Sequence, residues 1–242
     1  MDRYYNIFPL GDAAATIDFG NAISREANKK VQRIRQWFAD HPFKGLKDVI
    51  AAYSSLSVFY DPLSVKMNYA LPGTVFDFVQ AKLEEGWRHA SEVPLTGQGD
   101  LVEIPVCYDG SLAPDLAFVA STNHLSKEEI IELHTAGLYY VYMIGFLPGF
   151  SYMAEVDPRL VIPRKSVPVQ VAAGSVGIAG SQTGIYPLSC PGGWQILGRT
   201  PWLMFDPASV NPSRLKQGDC VRFYRISREE YEGRRELGAG IQ

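Results

Sequence analysis

The 242 residues are 46% hydrophobic and carry a formal net charge of −3. That is enough apolar mass for one large domain or two small ones, with no global field drawing the chain to nucleic acid or anionic lipid. The cysteines, Cys107, Cys190 and Cys220, are too few and too far apart for a disulfide framework and suit a reducing cytoplasm. No apolar run reaches the roughly 20 residues that span a bilayer, and the opening MDRYYNIFPLGDAA lacks the regions of a signal peptide.

In chain order, residues 4–10 and 13–19 read as two strands about a Gly11-Asp12 turn. Residues 22–39 space Ala27, Val31, Ile34 and Phe38 as one helix face, with Asn21 or Ser24 as its cap and Pro42 just beyond its end. Strands fit 47–53 and 56–60 around Ser54-Ser55, and a second amphipathic helix fits 73–89. The order ββαββα predicts a small α+β domain over 1–92 with helices on one face of a sheet. Residues 91–100, SEVPLTGQGD, have little to bury and read as a linker.

Residues 101–108 alternate like a strand, and 114–121 suit a short helix or turn. Ser126-Lys-Glu-Glu129 is a capping box opening a helix that Gly137 stops. Nine of the 22 glycines then fall between Gly145 and Gly198, among prolines, aromatics and short β-rich runs (LVIP, VPVQV, SVGIAG, QILG, WLMF). Glycine beside aromatics marks sharp corners or close backbone approach in a compact β structure. After Gly218-Asp219 comes a last strand, Cys220–Ile226, and a charged tail, 227–242, expected to fray. The second domain is thus mainly β and spans 101–226.

Known nucleotide and nucleophile motifs fail. Gly174-Ser-Val-Gly-Ile-Ala-Gly180-Ser lacks the lysine and spacing of a P-loop, and no strand-to-helix junction carries a Rossmann fingerprint. Ala173-Gly-Ser175-Val-Gly177 approaches a nucleophile elbow. No helix pattern follows it, however, and all four histidines precede it, which rules out the hydrolase order of serine, acid and histidine. His41, His89, His124 and His134 lack metal-ligand spacing, so no metal site is expected beyond magnesium carried by ATP. His134 is either a buried or helix-terminal histidine or a proton carrier facing the glycine-rich core. Arg164 and Arg199 sit in apolar, turn-rich stretches. Each needs an anion there or an internal partner such as Asp157 or Asp206.

The run Y-V-x-M-x-G-F-x-P-G-F-x-Y, then P-R, G-S-V-G-I-A-G-x-Q-T-G-I-Y-P, P-G-G-W and G-R-T-P, resembles the KipI / PxpB family, also called allophanate hydrolase subunit 1 or the 5-oxoprolinase B subunit. Gly11-Asp12, Asp61-Pro62, Asp115-Leu116, Leu133-His134 and Gly218-Asp219 extend the resemblance along nearly the whole chain. Two positions depart from the family pattern: Val169 follows Pro168 where a second Pro-Arg is usual, and Cys190 stands where serine is usual.

The resemblance implies a C-terminal cyclophilin-like β-barrel and a role as the B subunit of a heteromeric ATP-dependent 5-oxoprolinase. Its partners would be the C subunit, similar to allophanate hydrolase subunit 2, and the A subunit, with ATP used by the assembly. The alternative it offers is an inhibitor that occludes a histidine kinase, and the barrel alone suggests a peptide-binding or prolyl-isomerase-like module. Neither nucleic acid nor membrane is expected as a partner. In the enzymatic case His134, Arg164 and Arg199 are the candidate catalytic residues. Phe146, Phe150, Tyr152, Gly174, Ser175, Gln182, Gly192, Gly193 and Trp194 are the candidate ligand contacts, Phe150 and Trp194 doubling as candidate partner anchors. Arg164 and Arg199 are expected on one cleft with Phe146, Tyr152 and the Gly174–Gly177 turn.

Overall fold

A computed structural model describes residues 5–20, 22–90, 92 and 99–239. Most of the expected linker, 91–100, and the candidate cap Asn21 lie outside them. The chain divides into two compact units, Met1–Gly97 and Gln98–Gln242.

In the first unit, β1 (Asn6–Pro9), β2 (Ala14–Asp18), β3 (Leu46–Ala51) and β4 (Ser55–Tyr60) form an antiparallel sheet in the order β1-β2-β4-β3. Strand β4 alternates as a half-buried strand should, with Leu56, Val58 and Tyr60 inward. Helix α1 (Arg25–Asp40) is capped by Ser24, whose Oγ accepts from the Ala27 amide at 3.3 Å. Helix α3 (Val75–His89) opens on a Thr74/Asp77 capping box. Val31, Ile34 and Phe38 of α1 and Val79 and Leu83 of α3 are buried in the same apolar cluster as Leu56 and Val58 of the sheet. A helix absent from the sequence reading, α2 (Pro62–Asn68), lies between β4 and α3. Its start was legible in Asp61-Pro62: the Asp61 carboxylate accepts from the Leu63 and Ser64 amides, and proline suits the first helical turn.

The second unit is a mixed α/β structure built on a seven-stranded, nearly closed sheet. Its elements are β5 (Leu101–Val106), α4 (Leu116–Thr122), α5 (Lys127–Ala136), β6 (Tyr139–Ile144), β7 (Ser151–Ala154), β8 (Val169–Val171), β9 (Ser175–Ala179), β10 (Gln182–Ile185), β11 (Cys190–Gly192), β12 (Gln195–Arg199) and β13 (Cys220–Arg225), then α6 (Arg228–Ala239). The sheet order is β12-β9-β10-β7-β6-β13-β5, with β8 and β11 paired separately as a small ribbon. Within the sheet β5 and β13 run parallel and the other neighbours antiparallel. The two edges meet where Cys107 and Arg199 exchange amide-to-carbonyl hydrogen bonds of 2.9 Å. That bridge removes an edge that would otherwise be open to strand addition. Glycine is required at 198 for this closure: a Cβ there would lie 2.6 Å from Val106 Cγ1 and 2.8 Å from the Cys107 carbonyl oxygen. The interior holds Val106, Val141, Met153, Ile178, Leu197 and Phe223, and α4 and α5 contribute Val119 and Ile130 to it.

Two expectations are corrected here. The runs LVIP and WLMF form no strand; Ile162 and Phe205 make only isolated bridges, to Gly180 and Ser213. The tail is not frayed over 228–239 but helical, with Tyr231 buried against Cys107, Leu112 and Ile226. The physical reason is a further capping box: the Glu230 carboxylate accepts from the Ser227 amide at 2.8 Å, and Ser227 Oγ accepts from the Glu230 amide at 3.1 Å. No helix among the described residues is long and apolar enough to cross a membrane.

Candidate functional site

His134 lies on the buried face of α5 and is 0% exposed. Its ring stacks on Phe223 at a centroid distance of 4.7 Å. Thr183 Oγ1 donates to the Gly177 carbonyl at 3.1 Å, which leaves it to accept from His134 Nε2 at 3.1 Å. Nδ1 then accepts from the Tyr108 hydroxyl at 2.8 Å. Both ring nitrogens are thus used inside the core, and burial pushes the pKa down to about 3. The proton-carrier expectation for His134 is corrected for that reason: the ring is neutral, saturated and away from both cavities described next.

The first cavity, about 330 Å³, sets the charged side chains of Arg199, Lys165 and Asp115 among apolar ones. Arg199 enters it from the end of β12, where the Cys107 bridge fixes its backbone and its Nε donates to the Ala173 carbonyl at 2.7 Å. Gly174 lets the backbone turn beside it at φ +81°, a conformation that strains residues with a Cβ. Ser175, 5% exposed, lines the same space. So do Lys165 and Asp115, whose Nζ and Oδ2 are 2.5 Å apart. Asp115 Oδ2 also accepts from the Ile196 amide at 2.7 Å, and Lys165 Nζ donates to the Trp194 carbonyl at 3.2 Å. This half-buried pair was missed in the sequence. Its only signals were the Arg164-Lys165 doublet and the Asp115-Leu116 match. Val169, where the family pattern carries arginine, also lines this cavity. An arginine there would have added a third cation beside Arg199 and Lys165.

The second cavity, about 300 Å³, is aromatic, and Lys165 borders it as well. Phe150 forms its packed floor, edge-on to Tyr186 at 5.1 Å and to Trp194 at 5.5 Å. Burial pushes Tyr186 up to about 12 and raises Tyr152, so both phenols stay neutral. Burial likewise raises the Cys190 thiol, which argues against a reactive thiolate. Gly192 and Gly193 line this cavity, and Arg164 sits over the Trp194 ring, Cζ 6.0 Å from its centroid.

The sequence-derived set is therefore split. Arg164 with Phe146, Phe150, Tyr152, Gly192, Gly193 and Trp194 lines one cavity; Arg199 with Ser175 lines the other. The two arginines expected on one cleft line different cavities, which share Lys165 as a lining residue. Gln182 sits at the start of β10, opposite Ala154 and Ala179, and lines neither. The ion pairs weighed for the arginines do not form. Arg159 holds Asp157 at 2.9 Å and keeps its carboxyl down at about 2, and Asp206 accepts from the Ala208 amide instead. As partner anchors Phe150 and Trp194 are poorly placed, being 1% and 4% exposed in an apolar cluster. Among the described residues no group of acidic, histidine or cysteine side chains is placed to hold a metal ion.

The family model described as carboxyltransferase domain, subdomain C and D, matches residues 5–215. The 5-oxoprolinase B subunit of Bacillus subtilis (strain 168) is 44% identical over 240 residues, covering 98% of this chain and 99% of the relative. A crystal structure of a protein designated TTHA0988 superposes with a TM-score of 0.73 at 39% identity, covering 88% of this chain. This chain spans only 40% of that longer one. The Kluyveromyces lactis urea amidolyase gives a TM-score of 0.74 at 18% identity, over 95% of this chain and 15% of that one, a likeness of fold alone.

Proposed function

The chain belongs to the family of the carboxyltransferase domain, subdomain C and D, and from that premise we propose that it is the B subunit of a heteromeric ATP-dependent 5-oxoprolinase, opening 5-oxoproline to glutamate. The observation that carries this reading is the 44% identity to a 5-oxoprolinase B subunit, which extends over 98% of the chain. In finer detail, the reading takes the seven-stranded barrel as cyclophilin-like, the C and A subunits as partners, and ATP with its magnesium as bound by the assembly.

The chemistry explains why one subunit is not enough. A five-membered lactam resists hydrolysis because its amide is resonance-stabilised and ring closure is entropically easy. Transfer of the ATP γ-phosphoryl group to the amide oxygen, with ADP leaving, would make the carbon electrophilic; water attacks, the ring C–N bond breaks with a proton passing to the nitrogen, and a second water hydrolyses the resulting acyl phosphate to the glutamate carboxylate and inorganic phosphate. Such a path needs cationic donors where charge develops and a site shielded from bulk water. Arg199 and Lys165 supply cations to the first cavity. Ser175 has no histidine beside it among the residues lining that cavity, so a nucleophile-and-base pair is missing. A site completed by the partner subunits follows.

Co-expression with the two other subunits tests this. The purified assembly should hydrolyse ATP only when 5-oxoproline is present, and the chain alone should fall far below the roughly 1–1000 per second typical of enzymes. Robust ATP turnover by the chain alone, or an assembly indifferent to 5-oxoproline, overturns the reading.

A further inference from the structure

We propose that the aromatic cavity is the 5-oxoproline site, with the Arg164 guanidinium pairing with the substrate carboxylate while Phe150, Tyr152 and Trp194 wall the lactam ring. This rests on the 5-oxoprolinase reading and adds to it where the substrate sits and which arginine holds it.

Three observations point there. The first is charge. Among the described residues Arg164 has no carboxylate partner; Asp157, the acid nearest in sequence, is taken by Arg159. Lys165, which borders both cavities, is by contrast paired with Asp115, and Arg199 commits its Nε to the Ala173 carbonyl. A planar guanidinium with its donors uncommitted suits a carboxylate, which it can grip through two parallel hydrogen bonds.

The second is shape. A space of about 300 Å³ with Phe150, Tyr152 and Trp194 on its walls suits a small ring with apolar carbons more than it suits a triphosphate. Arg164 lies over Trp194, so a carboxylate reaching it would bring the ring it belongs to against the indole.

The third is Phe146. Its φ of +70° is a backbone conformation that bulky residues rarely adopt, and its ring is nonetheless 64% exposed at the cavity mouth. It stands edge-on to Phe150 at 5.7 Å. That edge contact offsets part of the strain of a ring left largely in water; a ligand beneath the ring would offset more.

Two measurements test the proposal. In the assembled enzyme, Arg164→Gln should raise KM for 5-oxoproline about ten- to hundredfold, the span expected for losing a charge-assisted pair. KM for ATP should stay put, and kcat should fall less than KM rises. Arg164→Lys should lie between the two. Unchanged KM for 5-oxoproline in an active Arg164→Gln assembly overturns the site while leaving the enzymatic reading intact. A wild-type assembly with no 5-oxoproline-dependent ATP hydrolysis removes the reading itself.

Independently, the full chain, labelled with nitrogen-15 and titrated with 5-oxoproline, should show the Trp194 indole N–H shifting, identified by its loss in Trp194→Phe. Titration with 2-pyrrolidone, which lacks the carboxylate, should need about ten- to hundredfold more ligand, and Arg164→Gln should erase that difference. Shifts confined to residues around Arg199 and Ser175, or no shifts at all, overturn the assignment. So does a Trp194 shift caused by adding a partner subunit that excess 5-oxoproline fails to reverse, for then a segment of the partner fills the cavity.

Discussion

Between pH 6.5 and 5 the second unit should lose about 1.6 kcal/mol of stability, the slope approaching about 1.4 kcal/mol per pH unit at the acid end of that window, and His134 is the group responsible. Its ring is 0% exposed and neutral, with a pKa near 3, whereas in the unfolded chain it titrates near the ordinary value of about 6.5. The folded value is depressed, so the stabilisation is complete above about pH 6.5. As pH falls the unfolded state binds a proton that the folded state refuses, and stability drains away until the folded pKa is reached near 3, a total of about 4–5 kcal/mol. Protonation would force Nδ1 to donate toward a Tyr108 hydroxyl that now donates to it. The upper part of the window is diagnostic. Carboxylates with lowered values, such as Asp157 near 2, lose their contribution only as pH passes below about 4. Hydrogen-exchange protection of α5 and β6 amides should therefore fall from pH 6.5 to 5 in the wild type, after correction for intrinsic exchange rates. In His134→Gln it should be lower throughout and flat over that window. A flat wild-type profile would mean that the imidazole is reached by water or paired with an acid.

Tyr231→Ala should destabilise the second unit by about 3–5 kcal/mol, the range for emptying a buried aromatic site. A frayed tail would give a change near zero. Tyr231 is 2% exposed and packs with Cys107, Leu112 and Ile226, so its removal opens a void beneath the point where the sheet closes. Cys107 is the residue whose backbone bridges to Arg199, and Leu112 lines the first cavity. The loss should consequently reach the site as well as the fold. The urea midpoint of the second unit measures the first effect. Loss of the amide protection that the Cys107–Arg199 bridge gives measures the second.

The capping box that makes this helix, Ser227-Arg-Glu-Glu230, has the same spacing as the Ser126-Lys-Glu-Glu129 box read correctly from the sequence. The difference lay downstream. Residues 127–136 carry Ile130, Ile131 and Leu133 to bury, while 228–239 carry Tyr231 and Leu237 among charges. A weak apolar stripe reads as solvated until the surface that receives its one buried aromatic is known. Asp61-Pro62 marks only a start and is likewise silent about the helix it opens, because a seven-residue helix has too few turns to show a period.

Local signals in the sequence alone therefore determined the helix α5 and its cap, the alternating strand β4, the existence of strand β5, the glycine-dense character of the barrel segments and, through spaced motifs, the family. Each depends on residues within a few positions of one another or on a pattern read in order. Tertiary structure alone decided three matters. It paired β5 in parallel with β13, residues more than a hundred positions apart, a choice no local period encodes. It sent His134 into the core, because one face of α5 had to be buried and the Tyr108 and Thr183 hydroxyls were there to satisfy the ring. And it placed Arg164 and Arg199 on different cavities that share Lys165, which is held by Asp115 and the Trp194 carbonyl. Two cations that look like one anion site along the chain thus face separate spaces once the strands between them are folded.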